Sequence, residues 1–244
     1  MTPAARQAQA MEFNAWEQER IRIMRKIALE MSGSAPAVLK GGTSLLLVRG
    51  LTRFSEDLDF DLPPGTIVGV NVDLRSTIEK AMQSLSIAVA HIYEKKDSET
   101  TMRYSLHYKS AVSGDVSILK IEFSMRNAIK PEDVEIVDGL KVYRIARLAD
   151  LKTDAFIARD KGRDTYDVVF LLEKYYPEIA QTTLKRIFDN VENKSINWLS
   201  NLFDDESQED PLLARFDGTE IVGRLAYFYD QYKERQSGSL VASK

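Results

Sequence analysis

The chain contains no cysteine, which excludes disulfide staples, thiol nucleophiles and cysteine-rich zinc sites together. Histidine is nearly as scarce: His91 and His107 are the only two, too few for most His-ligated metal centres and imidazole acid–base schemes. No apolar run is long enough to span a bilayer, and the opening MTPAARQAQAMEFNAWEQER has no apolar signal-like core. A cytoplasmic protein with no membrane attachment is therefore expected. An excess of positive charge is missing too, with 33 Lys+Arg against 37 Asp+Glu and a formal net charge of −4, so any nucleic-acid contact must be made by a local patch. What is present is 244 residues at 44% hydrophobic, enough for one large domain or two small ones with a substantial core. Chemistry must come from carboxylates, lysines, arginines and hydroxyls.

Phe13, Trp16, Ile23, Met24, Ile27 and Met31 recur at helical spacing, with Thr2-Pro3 as a start and Ser32-Gly33 as a stop. The basic residues of this segment, Arg20, Arg22, Arg25 and Lys26, read first as a solvated face. After Pro36, Val38-Leu39 is a short strand, Lys40-Gly41-Gly42-Thr43 a turn, and Ser44 to Leu51 a short helix. Glu56 to Leu62 alternates acid and apolar with period two until Pro63-Pro64 ends it, which predicts a strand with one carboxylate face. Asn71 to Leu85 returns to helical spacing, capped by Asn71 or Asp73. Ser86 to Tyr93, Thr101 to Lys109 and Val116 to Ser124 then form an antiparallel meander, and Val134–Val137 with Leu140–Ile145 flank an Asp138-Gly139 hairpin turn of type I′. Beyond Arg147 only helical patterns remain, over 149–160, 165–176, 181–191, 197–203 and 215–232. The acidic run from Asp204 to Asp210 reads as a solvated loop and 236–244 as a frayed tail. The expected class is α/β (α+β): a mixed sheet flanked by helices over 1–146 and a helical domain over 147–244.

Because strand side chains alternate, Asp57 and Asp59 project from one face, with Asp61 next in line. Such a face needs water or a cation, and paired strand carboxylates suit Mg²⁺ carrying a phosphate chain. Upstream, the Gly41-Gly42-Thr43 turn opens a helix, where backbone N–H groups can approach a phosphate and the Thr43 or Ser44 hydroxyl can add a donor. An anion cradle before a cation site is what nucleoside triphosphate chemistry requires. In Ile118–Ser124, Glu122 lies on the polar face; if that face adjoins Asp57 and Asp59 it could take a proton or complete a second metal site, and otherwise it is an exposed cross-strand charge. Further on, Lys152 and Arg159 share a helix face, and Asp164 and Asp167 share the next one after Gly162. Arg144, Arg147, Arg159, Lys161 and Arg163 make this the clearest local positive region, a candidate RNA contact aided by the basic residues of the first helix, or else a surface salt-bridge network.

Lys40-Gly41-Gly42-Thr43 followed by Arg53-Phe54-Ser55-Glu56-Asp57-Leu58-Asp59-Phe60 closely resembles the first motif of the AbiEii/AbiGii-type nucleotidyltransferase toxins, which include the mycobacterial MenT toxins, within the polymerase-β-like superfamily. Lys120-Ile121-Glu122 is similar to the family's second motif, with Glu where the family has Asp. Leu151–Ala155 is similar to the third motif and Arg163–Asp167 to the fourth. The resemblance spans Val38 to Leu172 and leaves out the helices after Tyr176. It implies a polymerase-β-like sheet, Mg²⁺ on Asp57 and Asp59, nucleotide binding by Lys40, Gly41, Gly42 and Thr43 with Ser55 nearby, and essential Lys152 and Asp167. Lys152 would supply charge to the triphosphate; Asp167, or Asp164 beside it, could orient Lys152, bind nucleotide or act as base.

The expected reaction moves a nucleoside monophosphate from an NTP to an acceptor hydroxyl. By resemblance the acceptor is the tRNA 3′ end, and the protein is the toxin of a phage-defence pair with a separate, DNA-binding antitoxin. The rivals are nucleotidylylation of a protein hydroxyl, a glycosyltransferase using Asp57 and Asp59, and a non-catalytic nucleotide-binding module.

Overall fold

The structure, a computed structural model, describes residues 13–70 and 72–241. The chain divides into two compact units, Met1–Arg144 and Ile145–Lys244, two residues before the boundary expected from the loss of strand patterning. The first unit carries a seven-stranded mixed sheet, and the second contains helices α4 to α8.

Helix α1 covers Ala15–Ser34. It starts at a capping box in which Asn14 accepts from the Glu17 N–H and the Glu17 carboxylate accepts from the Asn14 N–H. Thr2-Pro3, the expected start, lies outside the described residues. Strand β1 (Val38–Lys40) runs into a short helix α2 (Gly41–Ser44) that widens into one π-helical turn, Leu45–Arg49, and stops at Gly50 with φ 80°. β2 (Leu58–Asp61) is shorter than its alternating pattern. α3 (Leu74–Ser84) is capped by Asp73, which accepts from the Ser76 N–H; Asn71, the other expected cap, is outside the described residues.

β3 (Val89–Ser98), β4 (Thr101–Lys109) and β5 (Val116–Ser124) form the expected meander, and β6 (Val134–Val137) with β7 (Leu140–Tyr143) the expected hairpin. Asp138 and Gly139 both take positive φ, 52° and 82°, as a type I′ turn demands. The strand order is β3-β4-β5-β2-β1-β7-β6. β2 pairs parallel with β5 and β1 parallel with β7, while β1 and β2 are antiparallel to each other. The covered face of the sheet carries Leu58, Phe60, Leu119, Ile121 and Phe123, with the Phe60 and Phe123 rings stacked at 5.1 Å. Ile23, Met24 and Ile27 of α1 and Ile78 and Met82 of α3 complete this core.

In the second unit α4 spans Ile145–Ala158, α5 Gly162–Tyr175, α6 Gln181–Lys194, α7 Ile196–Glu209 and α8 Gly218–Val241. Two expectations are corrected here. The acidic run is the last turns of α7, because Glu206 is engaged by Lys161 at 2.6 Å rather than left to solvent. The chain from 236 onward continues α8 to Val241.

Candidate active site

β1 and β2 lie antiparallel with Lys40 opposite Asp59, so the chain leaving β1 turns beside the Asp59 carboxylate. Gly41 makes that turn at φ +75°, and a Cβ built on it would stand 2.8 Å from Asp59 Oδ2. A side chain is thus excluded twice, by the left-handed backbone and by the carboxylate. A Cβ on Gly42 would meet Arg53 Nη2 at 2.8 Å and Ser55 Oγ at 3.0 Å. The first N–H groups of a helix have no intrahelical acceptor; here they are set among a carboxylate, a guanidinium and a hydroxyl.

Asp57 is fixed through its backbone. The buried Arg20 donates from Nε and Nη2 to the Glu56 carbonyl at 3.1 and 3.0 Å. Thr43, fully buried, donates to the Asp57 carbonyl, and its Oγ1 lies 2.8 Å from Ser55 Oγ. Arg20 is therefore scaffold rather than solvated face; Arg25 reaches the Leu47 carbonyl, Lys26 pairs with Glu30, and Arg22 alone of the four is exposed. Thr43 likewise braces the carboxylate strand with its hydroxyl, leaving only its backbone for an anion.

Asp61 departs from its neighbours. It is fully buried, held by Lys40 Nζ at 2.6 Å and by the Tyr143 hydroxyl at 2.9 Å. Lys40, expected to serve the nucleotide, has this interior carboxylate as its partner. Lys40→Met leaves Asp61 with the neutral Tyr143 donor alone, and an expected loss of about 3–5 kcal/mol follows from breaking a buried pair. Urea unfolding checks it, and Lys40→Met/Asp61→Asn should recover much of the loss because the amide still accepts from Tyr143.

Along β5, Glu122 stands opposite Asp59 of β2 and opposite Arg103 of β4. The polar faces therefore adjoin. Arg103 Nε lies 2.8 Å from Glu122 Oε2, and that hydrogen bond, with the charges of Glu122, Asp97 and Asp59, holds the guanidinium above its ordinary pKa. Asp57, Asp59, Tyr93, Arg103, Lys120 and Glu122 line a cleft of about 510 Å³. Among the described residues no group of three or more carboxylate or histidine ligands forms a metal cluster; the carboxylates lining this cleft are Asp57, Asp59 and Glu122. The hard oxygens of Asp57 and Asp59 would suit a divalent cation.

In the second unit, Lys152 Nζ lies 2.6 Å from Asp167 Oδ2, both side chains buried. Arg159 grips the buried Asp164 with two hydrogen bonds of 2.6 and 2.9 Å. The expected positive region is correspondingly neutralised: Arg147 pairs with Asp150, Lys161 with Glu206 and Arg163 with Asp210. Those last two partners stand more than forty positions away on the chain, so a local charge count could not include them. Arg144 is exposed.

The family model described as Nucleotidyl transferase AbiEii toxin, Type IV TA system, matches residues 22–222. The chain belongs to the AbiEii nucleotidyltransferase toxin family. The AbiEii match begins inside α1 and ends inside α8, and so takes in the helices after Tyr176 that the four short motifs left out. Two solved structures from Helicobacter pylori resemble the AbiEii chain along nearly its whole length. JHP933 is 29% identical with a TM-score of 0.80, covering 94% of this chain and 98% of its own. A protein described as a candidate nucleotidyltransferase is 27% identical with a TM-score of 0.82, covering 93% and 98%. No curated protein sequence matches. As an AbiEii protein the chain is a nucleotidyltransferase of a type IV toxin–antitoxin system, with a nucleotide substrate and an antitoxin as counterpart. No helix among its described residues is long and apolar enough to cross a membrane. What the motifs of this AbiEii chain did not disclose are Arg20, Arg103 and Tyr93; only Arg53 stood inside a quoted motif.

Proposed function

We propose that this toxin transfers a nucleoside monophosphate from an NTP to the 3′-hydroxyl of tRNA in the cytoplasm, as the toxic half of a phage-defence pair whose antitoxin is a separate DNA-binding protein. The observation that supports this most directly is the glycine turn pressed against Asp59, which sets bare backbone beside a metal-type carboxylate pair. The acceptor oxygen attacks the α-phosphorus, the bond to the β-phosphate oxygen breaks, and pyrophosphate leaves with that electron pair. Asp57 and Asp59 would hold Mg²⁺, which would supply charge neutralisation on the phosphate chain. Gly41, Gly42 and the backbone of Thr43 bind phosphate oxygens, with Ser55 beside them, while Arg53 braces the turn. Lys152 neutralises charge on the triphosphate and Asp167 holds its ammonium in place; Asp164 positions the start of α5 through Arg159. Glu122 aligns Arg103 and is available to the acceptor proton. Arg144, Arg159 and Lys161, the exposed members of the basic segment, contact acceptor phosphates, with the half-buried Arg147 and Arg163 as further RNA contacts.

One observation favours a second reading. Four of the five basic residues proposed for RNA carry carboxylate partners, which suits a protein hydroxyl as acceptor. Incubation with labelled NTPs and either total tRNA or protein, followed by sequencing of RNA 3′ ends, separates the two: label confined to protein overturns the tRNA reading. Within either, Gly41→Ala is expected to lower turnover at least about tenfold, since the methyl displaces Asp59, while the left-handed backbone costs only about 1–2 kcal/mol. Turnover and melting temperature measured together check this.

A further inference from the structure

Among the described residues, the outer face of the meander is left largely exposed next to the cleft. Strand alternation puts Arg103, Ser105, His107 and Lys109 of β4 on that face, and the register sets them opposite Glu122, Lys120, Ile118 and Val116 of β5. On the other side Lys95, Tyr93 and His91 of β3 oppose Arg103, Ser105 and His107. The row nearest β2 is mixed in charge: Lys95 pairs with Asp97 and Arg103 with Glu122. Past that row the face changes character. Tyr93, Ser105, Lys120, His91, His107, Ile118 and Lys109 include no carboxylate at all.

Three rings cluster there, with Tyr93 4.0 Å from His91 and 4.9 Å from His107 between ring centres, and Tyr93 is 56% exposed. An exposed aromatic ring is normally tolerated singly; a clustered set flanked by two lysines is the composition of a surface that stacks bases and tracks a phosphate backbone. Continuity with the carboxylates ties this face to the acceptor of the proposed transfer. Tyr93 and Lys120 line the same cleft as Asp57 and Asp59, so a strand on this face would end at the carboxylates proposed for transfer.

We infer that the outer face of β3, β4 and β5 seats the single-stranded 3′ end of the acceptor RNA, with Tyr93 stacking a base and Lys109 and Lys120 facing phosphates. This rests on the RNA-acceptor reading and adds a docking surface to it in the first unit. Tyr93 is a binding residue; it takes no part in the bond changes. The duplex portion of an acceptor is not needed for this contact, because stacking requires unpaired bases.

The test is fluorescence anisotropy of a labelled single-stranded RNA of about twelve nucleotides, titrated with the full chain at several salt concentrations. Tyr93→Ala should weaken binding about tenfold or more and Tyr93→Trp should restore it, since loss of a base–aromatic stack is what is removed and returned. Lys109→Gln should reduce the slope of log affinity against log salt by roughly 0.7, the contribution of one phosphate contact on a single strand. Unchanged melting temperatures establish that these exposed positions report on binding. Equal affinities and slopes in wild type and variants, with wild-type binding intact, overturn the platform and leave the RNA-acceptor reading standing. Absence of RNA binding by the wild type, with label on protein instead, overturns both. Unchanged RNA binding with loss of protein labelling in Tyr93→Ala assigns the face to a protein and also overturns it.

Discussion

Asp59→Asn is expected to cut nucleotidyl transfer by about a thousandfold or more while leaving the protein folded, the equivalent of about 4 kcal/mol of lost transition-state stabilisation. The amide keeps the shape of the side chain against Gly41 but removes the negative charge that makes it a ligand for a divalent cation. Asp57→Asn should do the same, and with less structural consequence, because the Asp57 carboxylate is exposed whereas its backbone carbonyl carries the bond to Thr43. Turnover as a function of Mg²⁺, read beside the melting temperature, gives the answer. Activity near wild type in both variants would remove the metal from this pair.

Lys152→Met should abolish transfer and destabilise the protein at once. Sequence reasoning expects a lysine that acts mainly on the reacting phosphates, so that its loss costs activity far more than stability. The 2.6 Å bond to a fully buried Asp167 changes that expectation: the variant strands a carboxylate in the interior, at an expected cost of about 3–5 kcal/mol. The double variant Lys152→Met/Asp167→Leu separates the two effects. It should regain most of the lost stability and none of the activity, and restored activity in it would reduce Lys152 to a structural role. The same logic applies to Arg159. Its fork on the buried Asp164 means that Arg159→Ala lowers stability more than a surface arginine would.

The parts of this fold that were legible are those in which local pattern and local partner coincide. β4 and β5 begin and end at the residues where alternation begins and ends, and the Asp138-Gly139 turn is dictated by two residues able to take positive φ. β3 starts later than its pattern because Ser86 is drawn into a left-handed turn that closes α3. The Asp57–Asp59 face was legible from a period of two. What holds that face was not, since Arg20 reaches it across 36 positions and Thr43 across 14, distances at which neither residue type nor spacing signals a contact. The acidic run misled for a related reason: a carboxylate such as Glu206 cannot be told from a solvated one until the lysine that meets it is placed.

The strand order also sets when a newly made chain becomes able to act. The glycine turn and the aspartates leave the ribosome early, and β1 and β2 can pair with each other, yet β2 acquires its second neighbour only with residues 116–124 and β1 only with 140–143. Until then each is a short strand with one open edge, and contacts so distant along the chain form only after the intervening loop has been closed. A chain that ends before Val116 therefore carries every residue of the first motif but lacks both β5 and β7, the strands that flank β2 and β1 in the finished sheet.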